Sequence, residues 1–440
     1  MAGCFCGDFN AVRREDERKG ITVGSSQRKE IRGFNCFIDA NSMVDIPSVG
    51  KKYTWFKPNG TAKSRLDRVL VSEEWNQTWP FYKQYMQQRI VSDHCAIVAK
   101  SWAKDWGPKP FRSIDAWFME PGFKAFVKEK WGSYNGQGNN ISSLKEKLKY
   151  LKADLKVWNK NVFGCLQTNQ KQILKDIEIL DVKDDNDVLE ESDRIRRMEL
   201  LSQLRMIDNK LDSLARQKAR TKWYKFGDMN SKFYHTAIRW RRLKNEVKGV
   251  QVGGQWCEEP KVVRRKAKAL FEKRFTATRD FDVNLGFVEF KSLPHDISLS
   301  MVSSFTEEEV KETVWQCEGS KSPGPDGFNF TFIRNCWDVL KSDVMEAVNS
   351  FQETEVIPKG CNASFIALVP KVCDPLSLDQ FRLISLVGMF YKIVTKVLAS
   401  RMKDVLHLII DENQSAFLRN RGLLDSVLVA NEMVEEVRRN

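Results

Sequence analysis

Over residues 141–165, Leu144, Leu148, Leu151, Leu155 and Trp158 recur three or four positions apart, with lysines between them. That spacing predicts an amphipathic helix with one apolar face. Residues 187–222 repeat the pattern through Leu189, Ile195, Leu200, Leu204, Ile207, Leu211 and Leu214. Two long helices packed as a hairpin are the simplest arrangement for both stretches. Residues 1–105 read differently, as short strands between loops. Lys52-Tyr53-Thr54-Trp55-Phe56 is a β-rich run closed by the turn signal Pro58-Asn59-Gly60. Residues 64–72 alternate in part through Leu66, Val69 and Val71, and residues 90–98 form a strand pattern interrupted by Ser92-Asp93-His94. From about residue 301 the pattern changes again. Thr306, three positions before Glu309, fits a capped helix start, and that helix should end before Gly319. Ser322 to Gly327 carries too much proline and glycine for regular structure, and a short apolar strand, Phe365–Val369, follows further helices.

These shifts mark three segments, 1–105, 106–300 and 301–440, in agreement with a prior of roughly 150 residues per domain. The fold class expected is multi-domain, α/β and α+β. A hydrophobic fraction of 42% is enough for real cores, and the net charge of +13 favours an anionic partner such as nucleic acid. A solvated basic surface explains the same charge. No apolar run approaches the roughly 18 residues that span a bilayer. The opening Met1–Cys6 is apolar but too short for a signal peptide and has no basic leader. Ten cysteines without a C-x-x-C pair point to reduced thiols in nucleus or cytoplasm.

Three short pieces carry candidate chemistry. Gly7-Asp8-Phe9-Asn10 puts a carboxylate and an amide at a strand end. Ser64-Arg65-Leu66-Asp67 adds a second carboxylate, and Ser92-Asp93-His94 sets a carboxylate beside an imidazole. Hydrolysis of a phosphodiester needs a base for water, a donor to the phosphate, an acid for the leaving oxygen and a metal to offset charge. Singly, each piece is as easily a surface turn.

Together and in this order, they resemble the endonuclease/exonuclease/phosphatase family, a sandwich of two sheets. The resemblance implies that His94 activates water and that Asp67 fixes its tautomer. It further implies that Asp93 lies near the divalent metal, Asp8 assists the leaving group and Asn10 binds the scissile phosphate. The family carries an Asn, a metal-binding Glu and a Tyr upstream of its GDFN motif, whereas this sequence has six residues before Gly7. The expectations are therefore a partial sandwich with an exposed apolar edge at Gly3–Phe9, weak hold on Mg2+, and no nicking by these residues alone.

Residues 222–244 interleave Trp223, Phe226, Phe233, Tyr234 and Trp240 with Lys222, Lys225, Lys232, Arg239, Arg241, Arg242 and Lys244. Cations suit phosphates and aromatic faces suit bases. A helix with an aromatic core face and a basic solvated face accounts for the same pattern. His235 lies among them with no partner for catalysis or metal and reads as structural. This stretch and Trp158–Gly164 resemble the segment joining nuclease to polymerase in plant-type LINE (non-LTR) retrotransposon proteins. Ser320 to Phe328, with Lys321 beside its Pro-Gly turn, resembles the fingers loop at the start of their reverse transcriptases. Phe365–Lys371 followed by Phe381–Leu386 resembles the fingers hairpin, which implies that Lys371 and Arg382 neutralise the incoming triphosphate. Leu383 stands where the family usually has proline. Residues 414–422 (QSAFLRNRG) also match the family.

No Asp-Asp in an apolar strand context occurs, so the family's two-magnesium palm is not expected within these residues. The resemblance thus implies a piece of a target-primed reverse transcription protein. In it a partial endonuclease/exonuclease/phosphatase sandwich precedes a basic helical connector and a partial reverse transcriptase fingers/palm. Its partners are DNA and RNA, without membrane, and its cofactor in the intact family is Mg2+. A nucleic-acid-binding remnant without catalysis, or a gene relic, stands beside it.

Overall fold

A computed structural model of the chain describes residues 2–21, 24–79, 82–89, 92–101, 105–134, 140–186, 190–220, 234, 237–238, 241–242, 244–252, 254–276, 291–372, 375–411, 414, 418 and 421–439. It mixes helices with small sheets and divides into two units. One comprises residues 1–108, 239–280 and 367–384; the other comprises 109–238, 281–366 and 385–440. The stretch 106–300 is therefore shared between the two units. Among the described residues, no helix is long and apolar enough to cross a membrane.

In the first unit, the strand Asp67–Val71 is central. It pairs antiparallel with Cys4–Asp8 on one side and with Val44–Asp45 on the other. All five of its residues are buried, which explains why its sequence alternates only in part. Cys4–Asp8 is an edge strand of this sheet, and Cys4, Phe5 and Cys6 on it are exposed, as an apolar edge would be. A second sheet sets Tyr82–Met86 between Ser48–Val49 and Ile97–Ser101. A third joins Arg18–Lys19, Lys63–Ser64 and Trp55–Phe56, so only the end of the 52–56 run is strand. Ile46, Val69 and Val71 form the apolar core, backed by Val44, Trp75, Ile97 and Ala99.

Beside that small core lies a buried ion cluster. Arg68 donates to Glu17 and, at 2.6 Å, to Asp45, and Arg65 reaches Asp45 at 3.2 Å. Buried charges persist only when paired in this way. The cluster and the helix Ser25–Ala40 have no counterpart in the sequence reading.

The second unit is helical. Ile141–Trp158 forms as its periodicity requires, burying Leu144, Leu148, Leu151, Leu155 and Trp158. It packs against Trp337–Thr354. The long hairpin pairs Leu166–Asn186 with Glu191–Ala219, so the partner of the second helix is not the one expected. The reason is burial. Ile141–Trp158 has an apolar face continuous enough to enter the main core, whereas the hairpin closes over a small cluster of Ile177, Leu180 and Leu200. Ile195, assigned to the apolar stripe, is 52% exposed. Leu189 lies outside the described residues.

Trp158 packs between Trp117 and Phe123, and the Trp117 indole donates to Asn159 at 2.7 Å. A π-turn over Asn159–Phe163 then closes on Gly164. The core continues into Val310, Val314, Phe328, Phe332, Ile333, Leu340, Val344, Ile393 and Val397. Residues from both sides of position 300 thus build one interior. Thr306 caps Glu307–Gln316, its hydroxyl accepting from the Glu309 amide at 3.2 Å.

The Ser322–Gly327 loop is held from several directions. Lys392 donates to the Ser322 carbonyl at 3.2 Å and Lys152 to that of Pro325 at 3.1 Å, while the Asp326 carboxylate accepts from the Met389 amide at the start of Met389–Ile409. A Cβ at Gly327 would lie 2.4 Å from the Phe111 ring, and one at Gly324 would lie 2.3 Å from the Val387 carbonyl. The glycines are therefore a packing requirement, beyond turn chemistry.

Candidate active site

The three nuclease-like pieces converge in the first unit. Asp8 ends the edge strand and stands directly opposite Asp67, the first residue of the central strand. His94 follows a loop tied down at both ends. Phe56 N–H donates to the Asp93 carbonyl at 2.9 Å, and Cys95 N–H donates to the Thr54 carbonyl at 2.7 Å. Within the loop, the Ser92 hydroxyl accepts from the His94 amide at 3.1 Å.

His94 Nδ1 lies 2.9 Å from Asp67 Oδ2, and Nε2 lies 3.9 Å from Asp8 Oδ2. A carboxylate can only accept, so Nδ1 carries the proton and Nε2 is left as the basic nitrogen. Partial burial disfavours a charge on His94. The Asp67 hydrogen bond and the negative charges of Asp67, Asp8 and Asp93 outweigh it and raise its pKa above the ordinary value. Ligand atoms of Asp8, Asp67 and His94 all lie within 4.8 Å of one another. With His94 tied to Asp67 through Nδ1 and Nε2 kept as the base, the carboxylate left to take a divalent ion is that of Asp8, with waters and substrate oxygens as the remaining ligands.

Asp93 is not part of this cluster. Its Oδ2 accepts from the Trp55 indole at 2.8 Å, and that hydrogen bond, first among the causes, holds its carboxyl below the usual range. Asn10 is exposed at φ 51°, its amide N–H donating to Asp8 Oδ1 at 2.8 Å. The backbone therefore leaves the edge strand in a tight turn at Asn10.

Other supporting residues escape the sequence reading. The buried Thr54 hydroxyl accepts from both Leu66 N–H and Asp67 N–H at 2.9 Å, fixing the entry to the central strand. The Gln84 side chain spans the same strand, donating to the Asp67 carbonyl at 3.0 Å and accepting from Val69 N–H at 3.1 Å. Both are buried polar groups next to a candidate acid. Only their final partners reveal the role.

Of the residues assigned to nucleotide and nucleic acid, Lys371 and Arg382 are exposed on the hairpin of Ser364–Pro370 and Phe381–Val387. Lys371 Nζ donates to the Asp379 carbonyl at 2.9 Å. Lys321 is exposed, 3.8 Å from the Glu318 carboxylate, and Arg241 and Arg242 are exposed on a helical turn. Lys222, Lys225, Lys232 and Arg239, with Trp223, Phe226, Phe233, His235 and Trp240, lie outside the described residues. Tyr234 is buried, as the core-face reading of that stretch requires at this position.

No protein-family model matches the chain. The chain is 22% identical, over 98% of its length, to the Transposon TX1 uncharacterized 149 kDa protein of Xenopus laevis. It spans about a third of that relative, 34% of its length. The likeness supports a transposon origin for the sequence.

Proposed function

We propose that the chain is a piece of a non-LTR retrotransposon RNA-directed DNA polymerase and endonuclease. In this reading 1–105 is the later part of an endonuclease/exonuclease/phosphatase domain, 106–300 a basic connector, and 301–440 the first part of a reverse transcriptase domain. The observation that carries it is the Asp67–His94–Asp8 arrangement. Three pieces far apart in sequence bring an imidazole, a carboxylate hydrogen-bonded to its Nδ1 and a second carboxylate 3.9 Å from its Nε2 into one cluster. Similarity to a transposon protein along nearly the whole chain supports it.

Asp67 holds the imidazole with Nε2 facing Asp8. Nε2 takes a proton from water, and Asp67 stabilises the imidazolium that results. Asp8 faces the position of the leaving oxygen, and Asn10 supplies an amide for a phosphate oxygen. A divalent ion such as Mg2+, held by Asp8, would neutralise charge on the leaving oxygen and on that phosphate. On the hairpin, Lys371 and Arg382 offer cations to a nucleoside triphosphate.

Plasmid nicking in Mg2+ tests the nuclease half. Any turnover should fall by at least about 100-fold in His94→Ala, the typical worth of a general base. Turnover that survives this substitution overturns the assignment. Exposed Arg241 and Arg242, together with the charge of +13, favour a second reading, binding of nucleic acid without cutting. It predicts affinity that drops steeply with salt and ignores sequence.

A further inference from the structure

The second unit contains a concavity that the nuclease and polymerase readings leave unused. It measures about 270 Å³ and lies between Ile141–Trp158, the Pro325–Asp326 turn, the Gly360–Cys361 turn and the start of Met389–Ile409. Ile141, Leu144, Leu148 and Phe390 make apolar walls. Three lysines of the first helix, Lys145, Lys149 and Lys152, border it.

The polar groups divide into those already occupied and those that can still bind. Asp326 is committed, accepting from the amides of Met389 and, at 3.3 Å, Phe328. Lys152 gives one hydrogen to the Pro325 carbonyl, and Lys149 forms a surface pair with Glu146 at 3.0 Å. Lys145 forms no ion pair among the described residues, and its ammonium would sit 3.0 Å from a Cβ at Gly360. That glycine therefore leaves the ammonium room at the mouth. Burial and the neighbouring Lys156 hold the Lys152 ammonium below its ordinary pKa, so a nearby anion would stabilise it.

Size and charge layout narrow the ligand. The volume is below the usual range for drug-sized ligands and suits one ring system. The lysines fall at i, i+4 and i+7, a rise of roughly 6 and then 4.5 Å along the helix. They form a line of charge instead of a nest around one anion. An apolar slot beside a line of cations matches the base and phosphates of a single strand. A duplex keeps its bases stacked and paired, so it offers the slot nothing.

We propose that this cavity takes one unstacked base of a single-stranded nucleic acid, with the flanking phosphates on Lys145, Lys149 and Lys152. The proposal rests on the reading of the chain as a nucleic-acid-handling protein, but not on the His94 centre. Because the walls are apolar and, among the described residues, carry no side chain that would read a base edge by itself, little base preference is expected.

The test uses the full chain and a short single-stranded oligonucleotide carrying one 2-aminopurine, with the matching duplex as comparator. Binding should raise 2-aminopurine fluorescence with the single strand and not with the duplex. Lys145→Glu with Lys149→Glu should weaken single-strand binding at least tenfold. It should also flatten the salt slope by about 0.7 for each phosphate that no longer meets a cation. Ala363→Phe, at an exposed position on the cavity lining, fills the slot without changing charge and should cost about tenfold, within the range for one base stack. If Ala363→Phe leaves both affinity and fluorescence unchanged, the lysines are only a basic surface and the proposal is wrong. His94→Ala should leave every one of these readings as it was, so failure here and failure of the nuclease centre are told apart.

Discussion

Asp8 and Asp67 face each other across neighbouring antiparallel strands, two carboxylates in directly opposed positions. Like charges so placed are ordinarily destabilising. Here His94 lies between them, with Nδ1 on Asp67 and Nε2 toward Asp8. The imidazole stands between the two carboxylates, and against the cost of partial burial the Asp67 hydrogen bond and their negative charges raise its affinity for a proton.

Asp67→Asn should therefore lower the His94 pKa, as read from the imidazole proton shifts in an NMR titration. The folded value in the parent lies above the unfolded one. The pairing then contributes stability fully below the unfolded value, near pH 6.5, and loses it as pH rises through the higher folded value. Melting temperature against pH should show this loss in the parent and a weaker one in Asp67→Asn. An unchanged titration in the variant would mean that Asp67 does not orient the ring.

Thr54→Val keeps the shape of the side chain but removes the acceptor of two amides. Leu66 N–H and Asp67 N–H would be left without their bond inside the sheet. A buried donor left unsatisfied costs about 1–3 kcal/mol. We expect denaturant unfolding to show a loss of about 2 kcal/mol or more, and any His94-dependent activity to fall with it. Thr54→Ser should restore most of both, because the hydroxyl alone does this work.

Two apolar residues of the helical unit should respond in opposite ways. Leu155 is fully buried, and Leu155→Ala should cost about 2–5 kcal/mol in urea unfolding. Ile195 belongs to a similar heptad-like run but is exposed, so Ile195→Ala should stay within about 0.5 kcal/mol. Equal losses at the two positions would contradict the packing described.

These contrasts mark how far the sequence can be read. Ile141–Trp158 is legible because its five apolar residues recur at helical spacing and all of them enter the core. The Thr306 cap and the irregular Ser322–Gly327 loop are legible because capping and proline–glycine chemistry act over three or four residues. The meeting of Asp8, Asp67 and His94 follows from family resemblance, since no local rule joins positions 59 and 27 residues apart. Which helix pairs with Glu191–Ala219 is not legible, because several amphipathic helices offer similar faces and total burial decides between them. Nor is the Arg68–Glu17–Asp45 cluster. Charged side chains read as surface until the fold closes over them. Thr54 and Gln84 stay hidden for the same reason, as polar residues whose worth depends on long-range partners.

The single interior assembled from residues on both sides of position 300 bears on how such a protein can change over generations. Trp158 and Leu155, before that position, share the interior with Phe332, Leu340 and Ile393 after it. A recombination event with its breakpoint near residue 300 would join halves whose side chains had never been fitted to each other. Residues 141–158 and 310–397 are thus expected to be inherited as a block. Matched substitutions across the boundary should outnumber those between either part and the first hundred residues.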